Sequence, residues 1–237
     1  MPLDTVSSMG NERFRRQLRE CIVRVFALHP EWQYFQGVHD LGAVICSVFY
    51  RRSVEETSLM LEHLLATFMI PFLTQPLDVA FQPCFLNVIH MLHNCNERKL
   101  ASIVASTDGM WMLSWILTWF AHSRLDSCNA ADGSCIFSLF EAVLQSKDVF
   151  FVEKVAVALL ILNKKRIIEA ANAQPFDEGE LFALLQNLPK NSDFSSCVQY
   201  ASSIPKAKKP NLYLYLSISI GVGSIAVLWL CLRLLWQ

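Results

Sequence analysis

Glycine and proline are scarce in this chain, eight and nine residues out of 237. So few breakers exclude a fold built on tight turns and favour long, continuous elements. Alternation of apolar and polar residues nowhere persists beyond a few positions, which excludes a sheet with one wet face. The eight cysteines, at 21, 46, 84, 95, 128, 135, 197 and 231, include no Cys-x-x-Cys pair. In a chain of this length they read as buried or free thiols of a reducing compartment rather than a disulfide framework. Charge of one sign is lacking too: 20 basic residues face 21 acidic ones, so nothing calls for nucleic acid, and that partner is set aside. No Gly-x-x-x-x-Gly-Lys-Ser/Thr loop occurs, and the chain is not expected to bind nucleotide on its own account. His90-x-x-His93 with Cys95 nearby has no second ligand pair of recognisable spacing, and no Cys-His pair stands out as a nucleophile. No metal or cofactor is therefore assigned. There is no internal repeat.

What the chain does have is apolar surface, 53% of its residues, enough for a sizeable core. It is arranged as helical stripes, and the expected class is all-α. Phe14, Leu18, Cys21, Ile22, Val25 and Phe26 lie on one face of a helix, with Arg13, Arg16, Glu20 and Arg24 opposite, and Pro30 ends it. That charged face reads first as solvated surface and second as a means of steering an acidic partner. Leu41, Val44, Ile45, Val48 and Phe49 form the next stripe. Ser53-x-x-Glu56 is a capping box that opens a helix through Leu61, Leu64, Leu65 and Phe68, with Pro71 expected to stop it. Another helix is expected over about 77 to 93, burying Phe81, Phe85, Val88, Ile89 and Leu92, with Pro83 near its first turn. Residues 110 to 120 are apolar almost all round, with Trp111, Trp115 and Trp119 four apart. They are too few to cross a bilayer and read as a buried central helix. Helices follow at about 134 to 145 and 150 to 162, the second closed by Lys164-Lys165-Arg166 at its negative end. A last short helix is capped by Asp177-x-x-Glu180 and stops at Pro189.

Two stretches stand apart. Tyr34-Phe35-Gln36-Gly37-Val38-His39-Asp40 joins the first two helices. A glutamine amide both donates and accepts, so it can orient a water for attack on phosphate without changing charge. The plainer reading is a helix corner whose aromatics plug the core and whose glutamine is solvated. At the other end, residues 202–211 read as a basic linker with Lys206, Lys208 and Lys209. Leu212 to Leu232 then carry no charge. A helix over 212–232 rises about 30 Å, the thickness of the hydrocarbon core. Tyr213, Tyr215, Trp229 and Trp236 sit toward its ends, and three lysines precede it against one arginine after it. The expectation is a single-pass tail anchor held in membrane lipid, with residues 1–201 in the cytosol and 233–237 beyond the far face.

The motif Tyr34-x-Gln36-Gly37-x-His39-Asp40, the run Leu113-Ser114-Trp115-x-x-Thr118-Trp119-Phe120-x-His122, the helical pattern and the basic linker before a terminal span together resemble the TBC-domain Rab GTPase-activating proteins. The likeness is greatest to their membrane-anchored branch. The resemblance implies a multi-helix domain over residues 1–201 that activates the GTPase of a Rab, not an enzyme with a substrate of its own. GTP and magnesium would be held by the Rab, which would bind in its GTP form. Gln36 would orient the attacking water, Tyr34 and Gly37 would shape its loop with Phe35, and His39 and Asp40 would support it from the next helix. The branch implied acts on the cytosolic face of the endoplasmic reticulum, in vesicle traffic toward the Golgi. The family's arginine lies in an Ile-x-x-Asp-x-x-Arg motif that these residues do not contain. The chain is therefore expected either to be a domain incomplete at its start or to be a Rab-binding adaptor that does not accelerate hydrolysis.

Overall fold

A computed structural model of the chain describes residues 12–49, 52–125 and 134–205. Among the described residues there are thirteen α-helices and no strand. The first ten are α1 (Glu12–Leu28), α2 (Val38–Val48), α3 (Val54–Leu64), α4 (Ile70–Thr74), α5 (Leu77–Asn94), α6 (Arg98–Ala105), α7 (Leu113–Thr118), α8 (Ala121–Leu125), α9 (Ser134–Ser146) and α10 (Phe151–Leu162). They are followed by α11 (Lys164–Ala171), α12 (Glu178–Asn187) and α13 (Phe194–Ser203). The expected tail anchor at 212–232 lies outside the described residues.

The first three helices pack on one another. On α1 the expected stripe faces inward, with Phe14, Cys21 and Val25 buried and Leu18, Ile22 and Phe26 partly so. The opposite, charged face makes surface pairs: Arg16 with Glu20 at 4.0 Å, and Arg24 with Glu55 on α3 at 3.1 Å. The second helix is sunk deeper than a stripe suggests. Nine of its eleven residues are buried, whereas Val48, expected inward, is exposed. Gly42 permits this depth, because a Cβ there would lie 2.9 Å from a Leu18 methyl.

The capping box at Ser53 forms as expected, with Ser53 Oγ accepting from Glu56 N–H and Glu56 accepting from Ser53 N–H. Pro71 does not end the helix. The backbone widens into a π turn over Leu65–Met69 and continues as α4, with the proline in that helix's first turn, where its missing N–H costs nothing. The combined run, 54–74, is long and apolar enough to span a membrane. Here it is a core element, with Leu61, Leu64, Leu65, Met69, Phe72 and Leu73 buried. Pro83 lies well inside α5, beyond the first turn.

Residues 110–120 are mostly buried, with Met110 half exposed, but they are not one helix. A short 3-10 turn (Met110–Met112) leads into α7, and Trp119 and Phe120 then adopt left-handed φ angles of 50° and 64° before α8 begins. Consecutive left-handed non-glycine residues cost about 1–3 kcal/mol each. Burial offsets that cost. Trp119 packs on Phe68 and Phe140, with centroids 5.1 Å and 5.0 Å away, and Phe120 packs on Trp115 and Phe194. Two of the tryptophan N–H groups find partners, Trp111 in Thr107 Oγ1 at 2.9 Å and Trp115 in the Gln186 carbonyl at 3.4 Å.

The centre of the other half is α10, with eleven of twelve residues buried and with α5 and α13 packed against it. Lys164, Lys165 and Arg166 do not close it. They open α11, where Lys164 pairs with Glu97 at 2.7 Å, Lys165 with Glu169 at 3.9 Å, and Arg166 donates to Asn163. Asp177 caps α12 as expected, accepting from Gly179 and Glu180 N–H. The helix α13, capped by Asp193, was not expected, and it carries the bundle through Ser203 to a buried Ile204. Residues 202–204, placed in the linker by composition, thus belong to the helical unit.

Candidate functional site

The connection between α1 and α2 is pinned along its length. His29 stacks on Trp32 with ring centroids 3.8 Å apart and bridges Glu31 and Glu62 at 3.2 Å and 2.9 Å. The Glu62 and Glu31 carboxylates raise the pKa of His29, so both ring nitrogens are held as donors over a wider pH range. Gln33 N–H donates to the Leu73 carbonyl at 2.7 Å, fastening the segment to α4. Phe35 is buried and meets Phe72, with centroids 6.1 Å apart, while Tyr34 lies against Phe26 at 5.8 Å. Along this segment Trp32 and Phe35 are buried, whereas Gln33 and Tyr34 are exposed. Phe35 goes in, and Gln36 comes out exposed. Among the described residues none hydrogen-bonds its amide.

Gly37 makes the corner. Its φ of 128° is open only to glycine, and a Cβ there would stand 3.0 Å from the Thr118 methyl. The chain turns directly into α2, with Asp40 and Leu41 N–H groups donating to the Gly37 carbonyl at 3.0 Å and 3.2 Å. Asp40 lies in the first turn, where a carboxylate suits the positive end of the helix, and it is buried. Two imidazoles flank one of its oxygens: His39 Nε2 at 3.7 Å and His122 Nδ1, from α8, at 3.5 Å. Beyond His39, Tyr34 Oη lies 3.0 Å from its Nδ1. Burial, and then the Asp40 charge, raise the Tyr34 pKa, so the phenol keeps its proton.

The structure thus brings together five of the six residues singled out in the sequence as Tyr34, Phe35, Gly37, His39 and Asp40, and sets Gln36 apart at the exposed apex. It adds Thr118 and His122. Both stand in the second motif of the sequence, but only the turn at Trp119–Phe120 carries His122 to Asp40. The chemistry available at this corner is polar and uncharged at its tip: an amide with one donor face and one acceptor face on a fixed backbone.

The sequence profile of the Rab-GTPase-TBC domain matches residues 1–168. The chain belongs to this family. It is similar to GTPase-activating protein gyp10 of Schizosaccharomyces pombe, 26% identical over 159 residues that make up 66% of this chain and 39% of that one. It is also similar to TBC1 domain family member 20 of Mus musculus, 21% identical over 198 residues, 81% of this chain and 44% of that one. The chain therefore spans about two-fifths of the length of these curated relatives. The matched TBC region includes α1 to α10 and hence both Gln36 and His122.

Proposed function

We propose that this TBC domain engages a Rab GTPase in its GTP form and accelerates hydrolysis, with Gln36 orienting the attacking water. The observation that carries this reading is the corner itself. A glutamine is held out to solvent between a buried aromatic and a glycine that no other residue can replace without strain, on a backbone tied to α4, α2 and α8. A water-orienting amide needs this combination of exposure and fixed position. GTP and magnesium belong to the Rab, and this chain supplies neither.

The 237 residues carry no Ile-x-x-Asp-x-x-Arg pattern, and that favours one second reading: a TBC domain that binds the GTP-bound Rab and leaves its hydrolysis unchanged. Arg13, Arg15, Arg16 and Arg19 do not substitute readily. They lie toward the start of α1, Arg19 about 10 Å along the axis from Phe26, the residue that meets Tyr34. The proposal extends to location. Residues 212–232, uncharged and preceded by three lysines, form a membrane anchor that holds the domain on the cytosolic face of the endoplasmic reticulum, where the Rab would serve vesicle transport. Retention of the full chain in membranes after alkaline extraction, lost on deletion of 212–232, tests the anchor.

For the activity, a panel of GTP-loaded Rabs is mixed with the full chain and phosphate release is followed. Acceleration of at least one Rab, lost in Gln36→Ala, is the expected result. Stable binding of a GTP-loaded Rab with an unchanged hydrolysis rate gives the second reading instead.

A further inference from the structure

Gln36 lies between two points that are each fixed from outside their own helix. On one side, the Tyr34 hydroxyl lies within hydrogen-bond reach of His39 Nδ1, at 3.0 Å, and the other nitrogen of that ring faces Asp40 at 3.7 Å. On the other, Gly37 sits over the Thr118 methyl, which would stand only 3.0 Å from a Cβ, and holds a φ of 128° that strains any other residue. Both supports converge on the same turn. Thr118 Oγ1 donates to the Ser114 carbonyl at 2.7 Å and accepts from His122 N–H at 3.2 Å, and His122 Nδ1 reaches back to Asp40 at 3.5 Å. The two left-handed residues, Trp119 and Phe120, lie between Thr118 and His122 and are what bend the chain enough for both to face α2. Strain of this kind, buried in an aromatic cluster and spent on presenting two polar side chains to one loop, is placed where it sets geometry.

We infer that His122 and Asp40 are positioning residues for Gln36, linked through His39 and Tyr34 into a clamp that fixes the loop while the Trp119–Phe120 turn fixes the clamp. None of the four polar groups needs to touch GTP. Asp40 lies beneath the loop and His122 beside it, and their effect passes through the backbone of residues 34–37. This inference rests on the reading that Gln36 acts on the Rab, but the clamp itself has a signature that needs no Rab.

The test uses the full chain, with His122→Ala, Asp40→Asn and the conservative His122→Asn, whose amide stands close to where Nδ1 was. Hydrogen exchange of the backbone amides of 33–41 is measured on the free protein. The rate and KM for hydrolysis are then measured with whichever GTP-loaded Rab responds to the wild-type chain. The clamp predicts that His122→Ala and Asp40→Asn speed exchange at 33–41 while α5 and α10 keep their protection. It also predicts that kcat falls about tenfold to a hundredfold with KM unchanged, because a loop displaced by a fraction of an ångström still binds but misplaces the water. His122→Asn should recover most of both. Exchange at 33–41 that stays at the wild-type rate in both disruptive variants overturns the inference. Loss of protection across the whole bundle, shared by His122→Asn, also overturns it and leaves His122 as packing alone. If no Rab responds to the wild-type chain, the functional reading fails while the exchange result still decides the clamp.

Discussion

Two of the groups of ionisable side chains in this bundle are built in opposite ways. Around α10, Lys154 Nζ meets Asp148 Oδ2 at 2.8 Å and donates to the Ile204 carbonyl at 3.0 Å, next to a buried Glu153, and all three side chains are out of water. Around the α1–α2 corner, only Asp40 is buried, and the imidazoles and phenol attached to it remain largely in solvent. The first group is enclosed by the fold and stitches α13 to α10. The second is supported by the fold and held at the surface. A charged cluster used for cohesion is closed to partners, whereas one used for presentation must stay open, so the two should respond to substitution in different currencies: stability for one, activity for the other.

The largest expected effect lies in the enclosed group. Lys154→Met leaves the Asp148 carboxylate buried without its cation and should lower stability by about 3–5 kcal/mol, read as a shifted midpoint in urea unfolding. Next is Glu153, whose carboxyl is pushed up to about 7 by burial. Between its ordinary value of 4.5 and about 7, the folded chain keeps a proton that the unfolded chain has released. Stability from this group is therefore highest below that window and falls as pH rises through it, by about 3 kcal/mol in all. His29, also raised, slopes the same way, so the informative quantity is the difference: Glu153→Gln should flatten the decline between the two pH values in thermal scans.

Smaller effects belong to the corner and its surroundings. Gly37→Ala meets both a forbidden φ and the Thr118 methyl, and should cost about 1–3 kcal/mol in chemical denaturation while disturbing Rab hydrolysis more than its stability loss explains. Ser53→Ala removes one half of the capping box and should cost about 1 kcal/mol without changing exchange at the corner. A large stability loss from Asp40→Asn, comparable to that from Lys154→Met, would erase the distinction between the two groups.

Legibility in the sequence followed the same division. Helices with a regular stripe and a chemical start signal, such as α1, α3 with its Ser53 box and α12 with Asp177, are readable because propensity, period and cap agree. Pro71 misleads because one wide turn absorbs its missing donor, and Lys164–Arg166 because basic residues suit a helix end by charge yet here begin a helix and find Glu97, Glu169 and Asn163 instead. The helix α13 is nearly invisible in Phe194-Ser-Ser-Cys-Val-Gln-Tyr-Ala-Ser-Ser, whose serines favour turns until α10 offers a surface to bury Phe194, Cys197 and Ala201. At the corner, local residues Tyr34 to Asp40 read as a unit because they are neighbours in sequence. His122 does not, since its arrival depends on two left-handed residues that no periodicity in an apolar run announces.

The claim at the centre is that the corner exists to present Gln36 and that Gln36 adds nothing to the fold. One paired measurement addresses it: phosphate release from a responsive GTP-loaded Rab, and thermal unfolding of the full chain, for wild type and Gln36→Ala. The account predicts an unchanged unfolding temperature with a rate reduced by about a hundredfold or more, the scale of losing one fixed polar group at a transition state. Hydrolysis that Gln36→Ala leaves at the wild-type rate would contradict it.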